Sequence, residues 1–359
     1  MLTTLVGLTT VAARSGDRGS GARSAANAGA EAGNAEAQLE TAVPAAPVTE
    51  SPAAGAAVAS PPITTAPSPP GAVAPPSPDS APSSPGPGGS GVFAGLGTWV
   101  DAFDFSPAHT GGNPSVVPAD VDRMAAAGVR TLYIQAARSE DPKATGDLLE
   151  PERLAAFTRR AHARGMQVVA WFLPRFANLD EERRHLDAIV RFTVGGRGFD
   201  AVGLDIEWRA GVADHATRSA RLVDLSRHLR VVAAGLPVGA IVLPPVVTDL
   251  INTAYWPEFP WKGLAPLFDA WLPMSYWTNR SADSPYRDAY RYTAENVRMI
   301  RDHLDQPGAV VHAIGGIGDE ATTVDYRRFA AACDDTGTVG RSIYDWATTA
   351  AGVWPAIAG

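Results

Sequence analysis

Two acids, Asp205 and Glu207, close the apolar run FDAVGLDIEW (residues 199–208) two positions apart, just ahead of Trp208. Side chains alternate along a β-strand, so Ala201, Gly203, Asp205 and Glu207 share one face while Val202, Leu204 and Ile206 share the other. One face is wholly aliphatic and the other ends in carboxylates. Their Cα atoms are expected about 6.5 to 7 Å apart, close enough that joint ionisation is disfavoured and one proton is held to higher pH. A protonated carboxyl beside an ionised one suits glycosidic bond cleavage: one acid protonates the leaving oxygen, the other faces the positive charge developing on the sugar. Burying two unpaired acids costs several kcal/mol each, so stability alone is a poor reason to keep them. The competing structural reading pairs them with an arginine such as Arg138 or Arg175.

These acids need a scaffold that gathers strand ends at one rim. Eight strand-like runs lie at 97–104, 129–136, 166–173, 199–207, 238–244, 268–276, 309–316 and 340–346. Stretches with apolar residues at three- and four-residue spacing separate them, among them PADVDRMAAAG, PERLAAFTRRAHARG, DEERRHLDAIVRFT and SARLVDLSRHLRVVAAG. Several end in Gly, as a helix C-terminus should. Eight strand-helix units in this length predict a (β/α)8 TIM barrel, whose active sites lie at the C-terminal ends of the strands. An open doubly wound sheet is disfavoured because no Gly-x-Gly-x-x-Gly follows the first strand and no P-loop occurs.

In the barrel frame the aliphatic face of the fourth strand meets the outer helices, and Asp205 and Glu207 point into the mouth. Other strand ends add Trp99, Asp101 and Asp104, then Tyr133 and Gln135, Trp171, Tyr276 and Trp277, and finally Tyr344, Asp345 and Trp346. Any one of these aromatics could equally be core. Their recurrence at strand ends marks Trp99, Asp101, Tyr133, Gln135, Trp171, Trp208, Trp277, Asp345 and Trp346 as candidate substrate-binding residues, with Glu207, Asp205 and Tyr276 as the catalytic candidates.

The fourth strand resembles that of the family 18 glycoside hydrolases, the chitinase-like barrels, which read Asp-x-x-Asp-x-Asp-x-Glu. Asp200, Asp205 and Glu207 match three of the four acids, and Met274-Ser275-Tyr276 is similar to that family's Met-x-Tyr. The resemblance implies Glu207 as general acid, Asp205 as the residue orienting a substrate acetamido group that attacks the anomeric carbon, and Tyr276 as its hydrogen-bond partner. It also implies Trp346 as a stacking floor. Gly203 stands in place of the middle Asp, Trp277 where Asp or Asn is usual, and VVAWFLPRF replaces a third strand bearing Ser-x-Gly-Gly. The Asp-x-Glu pair is similar to the family 25 lysozymes as well. The alternative function, favoured by Gly203, is a non-catalytic glycan-binding barrel.

The remaining features bound the protein's class. None of the 28 aromatic residues precedes Phe93, and 14 of the 30 prolines fall between Pro44 and Pro87. Residues 14–91 therefore read as a disordered Pro/Ala/Ser/Gly-rich linker, unable to bury enough apolar surface to offset its ordering entropy. Residues 92–359 form one domain. Residues 1–13 are compatible with a signal-peptide remnant but lack a positively charged start and are too short to span a bilayer. With the linker, they place the protein outside the cell or at its surface. The domain holds 27 basic and 32 acidic groups within a chain of net charge −8. That excludes a phosphate-backbone partner and leaves neutral or cationic ligands, with a carbohydrate substrate, no membrane insertion and a monomeric state expected. Cys333 in a helical run reads as a core thiol, and His312, alone among the histidines on a predicted strand, as a satisfied barrel residue. No HExxH and no Gly-x-Ser-x-Gly occurs, so no metal and no cofactor is expected. The GGIGDE run (315–320) is Gly-rich, but its acids oppose a phosphate; Asp319 or Glu320 is a second candidate for a carboxylate opposite Glu207.

Overall fold

The computed structural model describes residues 90–358 apart from residue 144. The signal-like segment (1–13), and the linker (14–91) but for its last two positions, lie outside the described residues. Eight parallel strands close into a barrel in chain order: β1 (Gly95–Val100), β2 (Thr131–Arg138), β3 (Gln167–Leu173), β4 (Ala201–Ile206), β5 (Val238–Val242), β6 (Ala270–Ser275), β7 (His312–Gly316) and β8 (Gly340–Tyr344). Closure is the β1–β8 ladder, in which Gly95, Leu96, Gly97 and Thr98 register with Gly340, Arg341, Ser342 and Ile343. The helices are α1 (Ala102–Phe105), α2 (Val121–Ala126), α3 (Pro151–Ala163), α4 (Leu179–Arg191), α5 (His215–Val232), α6 (Trp261–Leu264), α7 (Ala289–Leu304), α8 (Thr323–Thr336) and α9 (Trp354–Ala358).

Local chemistry sets these boundaries. Pro151 opens α3, where its missing N–H is no loss. The side chains of Asp214, Asp288 and Thr322 accept backbone N–H groups at the starts of α5, α7 and α8. Gly165 beyond α3 and Gly337 beyond α8 take φ of +71° and +64°, the left-handed turn that releases the chain toward the next strand. All eight predicted strands are present, but β1 stops early. Asp101 caps α1, accepting the Phe103 N–H at 2.7 Å, so Asp104 lies on a helical turn rather than on the strand.

Beneath the mouth the barrel is plugged by an aromatic and polar layer. Tyr133 stacks on Trp99 with ring centroids 4.3 Å apart. Its ring occupies the space where a Cβ on Gly97 would sit, 2.6 Å from that position, so only glycine fits there. His312 donates from Nδ1 to the Phe93 carbonyl at 2.7 Å and meets the Ser342 hydroxyl through Nε2 at 2.9 Å. Trp99 Nε1 also donates to that hydroxyl, at 2.8 Å. Burial pushes His312 down to about 4, so it is a neutral, hydrogen-bonded core residue. Cys333 is likewise buried, its thiol pushed up to about 12. Among the described residues no helix is long and apolar enough to cross a membrane.

Candidate active site

Above the plug a narrow cleft opens at the C-terminal strand ends. Asp205 on β4 and Glu207 just past it both line this space and are 7% and 2% exposed. Alternation along β4 therefore delivers the two carboxyls inward. Trp99 and Asp101 enter from the β1 side, Gln135 and Arg138 from β2, Trp171 from β3, and Tyr276 and Tyr344 from the ends of β6 and β8. Phe103, Leu173, Ile241, Met274 and Ile314 complete the apolar wall.

The electrostatics of Asp205 are dominated by desolvation. Burial pushes its carboxyl up to about 8, and the Arg138 guanidinium opposes this only in part. Among the described residues Asp205 Oδ1 has no hydrogen-bond partner. Arg175, the other arginine considered, pairs with Glu140 at 3.1 Å and lies 4.5 Å over the Trp208 ring at the rim. Glu207 is pinned through its backbone: Tyr255 donates its hydroxyl to the Glu207 carbonyl at 2.9 Å, and Arg218 donates to the Tyr255 carbonyl at 2.9 Å. Nothing in the local sequence marks Tyr255, because its role comes from a loop 48 residues away.

A second group of acids sits at the β1 and β8 side. Carboxyl oxygens of Asp101, Asp104 and Asp345 lie within 4.8 Å of one another, all buried. Burial raises all three. Asp345 reaches about 7, and Asp104 is raised further by its neighbours Asp345 and Asp101. Protein donors already engage them. Tyr344 donates its hydroxyl to Asp101 Oδ2 at 2.5 Å, the Asp101 N–H reaches Asp104 at 3.2 Å, and the Thr348 N–H reaches Asp345 at 2.8 Å. Three hard oxygen donors are the type that binds Ca²⁺ or Mg²⁺. Hydroxyl and backbone donors take part of their oxygens, and of the three only Asp101 lines the cleft.

Gly203 has a steric explanation. A Cβ there would lie 3.0 Å from Ile241 Cδ1 and 3.3 Å from Trp171 Cβ, and Trp171 is its register partner on β3. Ile241 and Trp171 take the room an aspartate side chain would need. Gly203→Asp is expected to lower stability by about 2–4 kcal/mol through overpacking and an unpaired buried acid, measured by chemical denaturation.

The candidates divide by placement. Glu207, Asp205, Tyr276, Asp101, Trp99, Gln135 and Trp171 meet in the cleft. Tyr133 lies in the plug below it, and Asp345 behind Asp101 in the acid cluster. Trp208 is half-buried at the rim beneath Arg175. Trp277 does not reach the cleft: the 3-10 turn Trp277–Asn279 sends its ring outward against Phe329 and Tyr326 of α8, with centroids 5.3 and 6.1 Å away. Trp277→Ala should therefore cost about 3–5 kcal/mol of stability as a core cavity without selectively weakening saccharide binding. Trp346 is not the cleft floor either. Past β8 the Trp346 N–H bonds the Trp99 carbonyl at 3.0 Å, and the indole stacks on Trp354 at 5.1 Å, lining a separate cavity with Arg123 and Ser115. Asp200, the first acid of the chitinase-like motif, sits at the opposite barrel end, accepting from the Val168 N–H and bonding His162, each at 2.8 Å. Asp319 and Glu320 are exposed and do not line the cleft. Arg138 and Phe103 are cleft residues the motif reading did not select as ligands, and Phe103 sits 4.9 Å beneath the Arg138 guanidinium.

No protein-family model matches the sequence, and no curated protein matches it. Solved structures do. The endo-1,4-beta-D-mannanase of Thermotoga petrophila RKU-1 superposes with a TM-score of 0.52 at 13% identity, over 70% of this chain and 88% of the other. A GH18 chitinase from Cycas revoluta superposes with a TM-score of 0.52 at 12% identity, over 74% and 98%. A GH18 chitinase from Pseudoalteromonas aurantia gives 0.50 at 13%, over 74% and 99%. At these identities the likeness is one of fold: the chain is a closed (β/α)8 barrel similar in shape to these enzymes.

Proposed function

We propose that the protein is a glycosidase acting on an oligo- or polysaccharide, with Glu207 as general acid and Asp205 as its partner. The observation that supports this most directly is the Asp205–Glu207 pair: both are buried, both face one cleft, and burial keeps Asp205 protonated up to about pH 8. Desolvation, rather than repulsion by Glu207, holds the Asp205 proton at neutral pH. Glu207, as general acid, gives its carboxyl proton to the glycosidic oxygen as the bond to the anomeric carbon breaks. The pair, now more negative, faces the positive charge on the sugar. Water then adds its oxygen to that carbon and returns its proton to the pair. Trp99, Trp171 and Tyr276 provide ring faces and edges against which sugar C–H groups pack. Gln135 Nε2 and Trp171 Nε1, buried without partners among the described residues, supply donors for sugar oxygens. We place the enzyme outside the cell or at its surface, on the strength of the Pro-rich segment ahead of the barrel.

The test is reducing-end release across a panel of α- and β-linked oligosaccharides, run beside binding measurements on the same panel. Cleavage of at least one member supports the assignment. Binding without cleavage by the wild type would leave only a glycan-binding barrel.

A further inference from the structure

One buried carboxyl outside the cleft ties together the loops on one side of its mouth. Ser139 and Glu140 follow Arg138, the cleft residue that ends β2, and Arg175 and Phe176 lie two and three positions beyond Leu173, the cleft residue that ends β3. Glu182, the fourth residue of α4, joins the two loops: it is fully buried, and its Oε1 accepts the Arg175 N–H at 2.9 Å, the Phe176 N–H at 2.6 Å and the Ser139 hydroxyl at 3.3 Å. Its neighbour Glu181 accepts the Glu140 N–H at 3.1 Å. Asn178 already caps α4, so the helix does not need Glu182 to start it. The loop after β4 comes in through Arg175, whose guanidinium pairs with Glu140 at 3.1 Å and lies 4.5 Å over the Trp208 ring. Backbone contact reinforces this, since a Cβ on Gly211 would sit 3.0 Å from the Arg175 carbonyl oxygen. Backbone strain is an independent pointer. Glu140 and Phe176 take φ of +51° and +60°, a region costly for side chains of this size, and such residues persist where their surroundings impose them, most often at functional sites.

We propose that Glu182 is a positioning residue for saccharide binding: by fixing the backbone of Arg175 it sets the orientation of Trp208, next in the chain to Glu207, as a platform at the rim of the cleft. This adds to the glycosidase reading and rests on it. Arg175 covers part of Trp208, which is only half-buried, so sugar C–H groups pack on what the guanidinium leaves exposed. A ring already held at one angle loses less freedom when a ligand stacks on it, and the gain appears as affinity. Glu182 lies outside the cleft and acts through Arg175 and Trp208, so its influence falls on holding the sugar rather than on breaking the bond.

A double-mutant cycle between Glu182 and Trp208, read by calorimetric titration of the whole chain, tests this. The probes are oligosaccharides of β-linked glucose, mannose and N-acetylglucosamine and of α-linked glucose. Glu182→Ala should weaken the tightest wild-type complex about tenfold, Trp208→Ala by a similar factor, and the double variant no further than either alone. On a cleaved substrate the loss should appear in KM, with kcat held within about threefold. Glu182→Gln, whose amide oxygen accepts the same N–H groups, should restore affinity to within about threefold of wild type. Amide exchange at Arg175 and Phe176 should quicken in Glu182→Ala and stay slow in Glu182→Gln. Thermal melting fixes a titration temperature at which each variant is folded. Arg175→Ala, which leaves the buried carboxyl in place, should reproduce the loss and carries the same cycle if Glu182→Ala does not fold. Losses that simply add in the double variant, or unchanged affinity despite faster exchange, overturn the inference and leave the glycosidase reading standing. If no probe binds the wild type, the glycosidase reading itself fails and takes the inference with it.

Discussion

Glu207→Gln is expected to lower turnover by about 10²–10⁴-fold while saccharide affinity stays within a few-fold of wild type. The substitution keeps the shape of a side chain only 2% exposed and leaves the Tyr255 hydrogen bond intact, because Tyr255 reaches the Glu207 backbone carbonyl rather than its carboxyl. Only the transferable proton is removed. The loss should fall on kcat with little change in KM, since an interaction made chiefly in the transition state is the one abolished. Leaving-group dependence offers a further check: aryl glycosides with acidic phenols need no protonation and should be cleaved by the variant far better than alkyl ones. A variant that retains full turnover on an alkyl-linked sugar would remove Glu207 from the acid's role. Equal loss of binding and turnover would make it a structural residue.

Asp205→Asn should do two opposite things, lowering activity by about 10²-fold or more and raising stability at neutral and alkaline pH. Burial moves the Asp205 carboxyl from its ordinary value of 3.8 to about 8 in the folded protein. Between those values the folded state binds a proton that the unfolded chain does not. Its contribution is therefore fully present below about pH 4 and lost as pH rises through about 8. Asparagine never ionises, so the stability gain over wild type should grow across that window, reach a few kcal/mol, and level off above it. Urea denaturation at pH 5, 7 and 9 measures the gain directly. Asp101, Asp104 and Asp345, also raised by burial, give the wild type a decline of the same sign. In activity, the alkaline limb of wild-type kcat/KM should fall near pH 8, where Asp205 ionises, and Asp205→Asn should displace it. Identical denaturation midpoints for the two proteins at pH 9 would show that Asp205 is not under the desolvation its burial implies.

What could be read from the chain alone was whatever depends on short-range periodicity. The eight strands, their order and the closed barrel follow from alternating β-like and helical runs, because each unit's hydrophobic period is set within ten or so residues. The inward direction of Asp205 and Glu207 was equally legible, since alternation along one strand fixes both side chains once the aliphatic face is assigned to the helices. Side chains two residues past a strand escaped this logic. Trp277 and Trp346 lie two positions beyond the ends of β6 and β8, and each is turned away from the cleft by its loop backbone and by partners from distant elements, Phe329 in one case and Trp354 in the other. Tyr133 lies on a strand and points inward as alternation requires, but its depth, below the cleft rather than in it, depends on how the barrel layers stack around Trp99 and Gly97. The acid cluster is wholly a tertiary product: Tyr344 and Asp101 are 243 residues apart and meet only because β8 closes on β1. Desolvation completes the division. A sequence names the carboxyls, but the proton each one keeps depends on how fully the surrounding strands exclude water, and that is settled only when the barrel shuts.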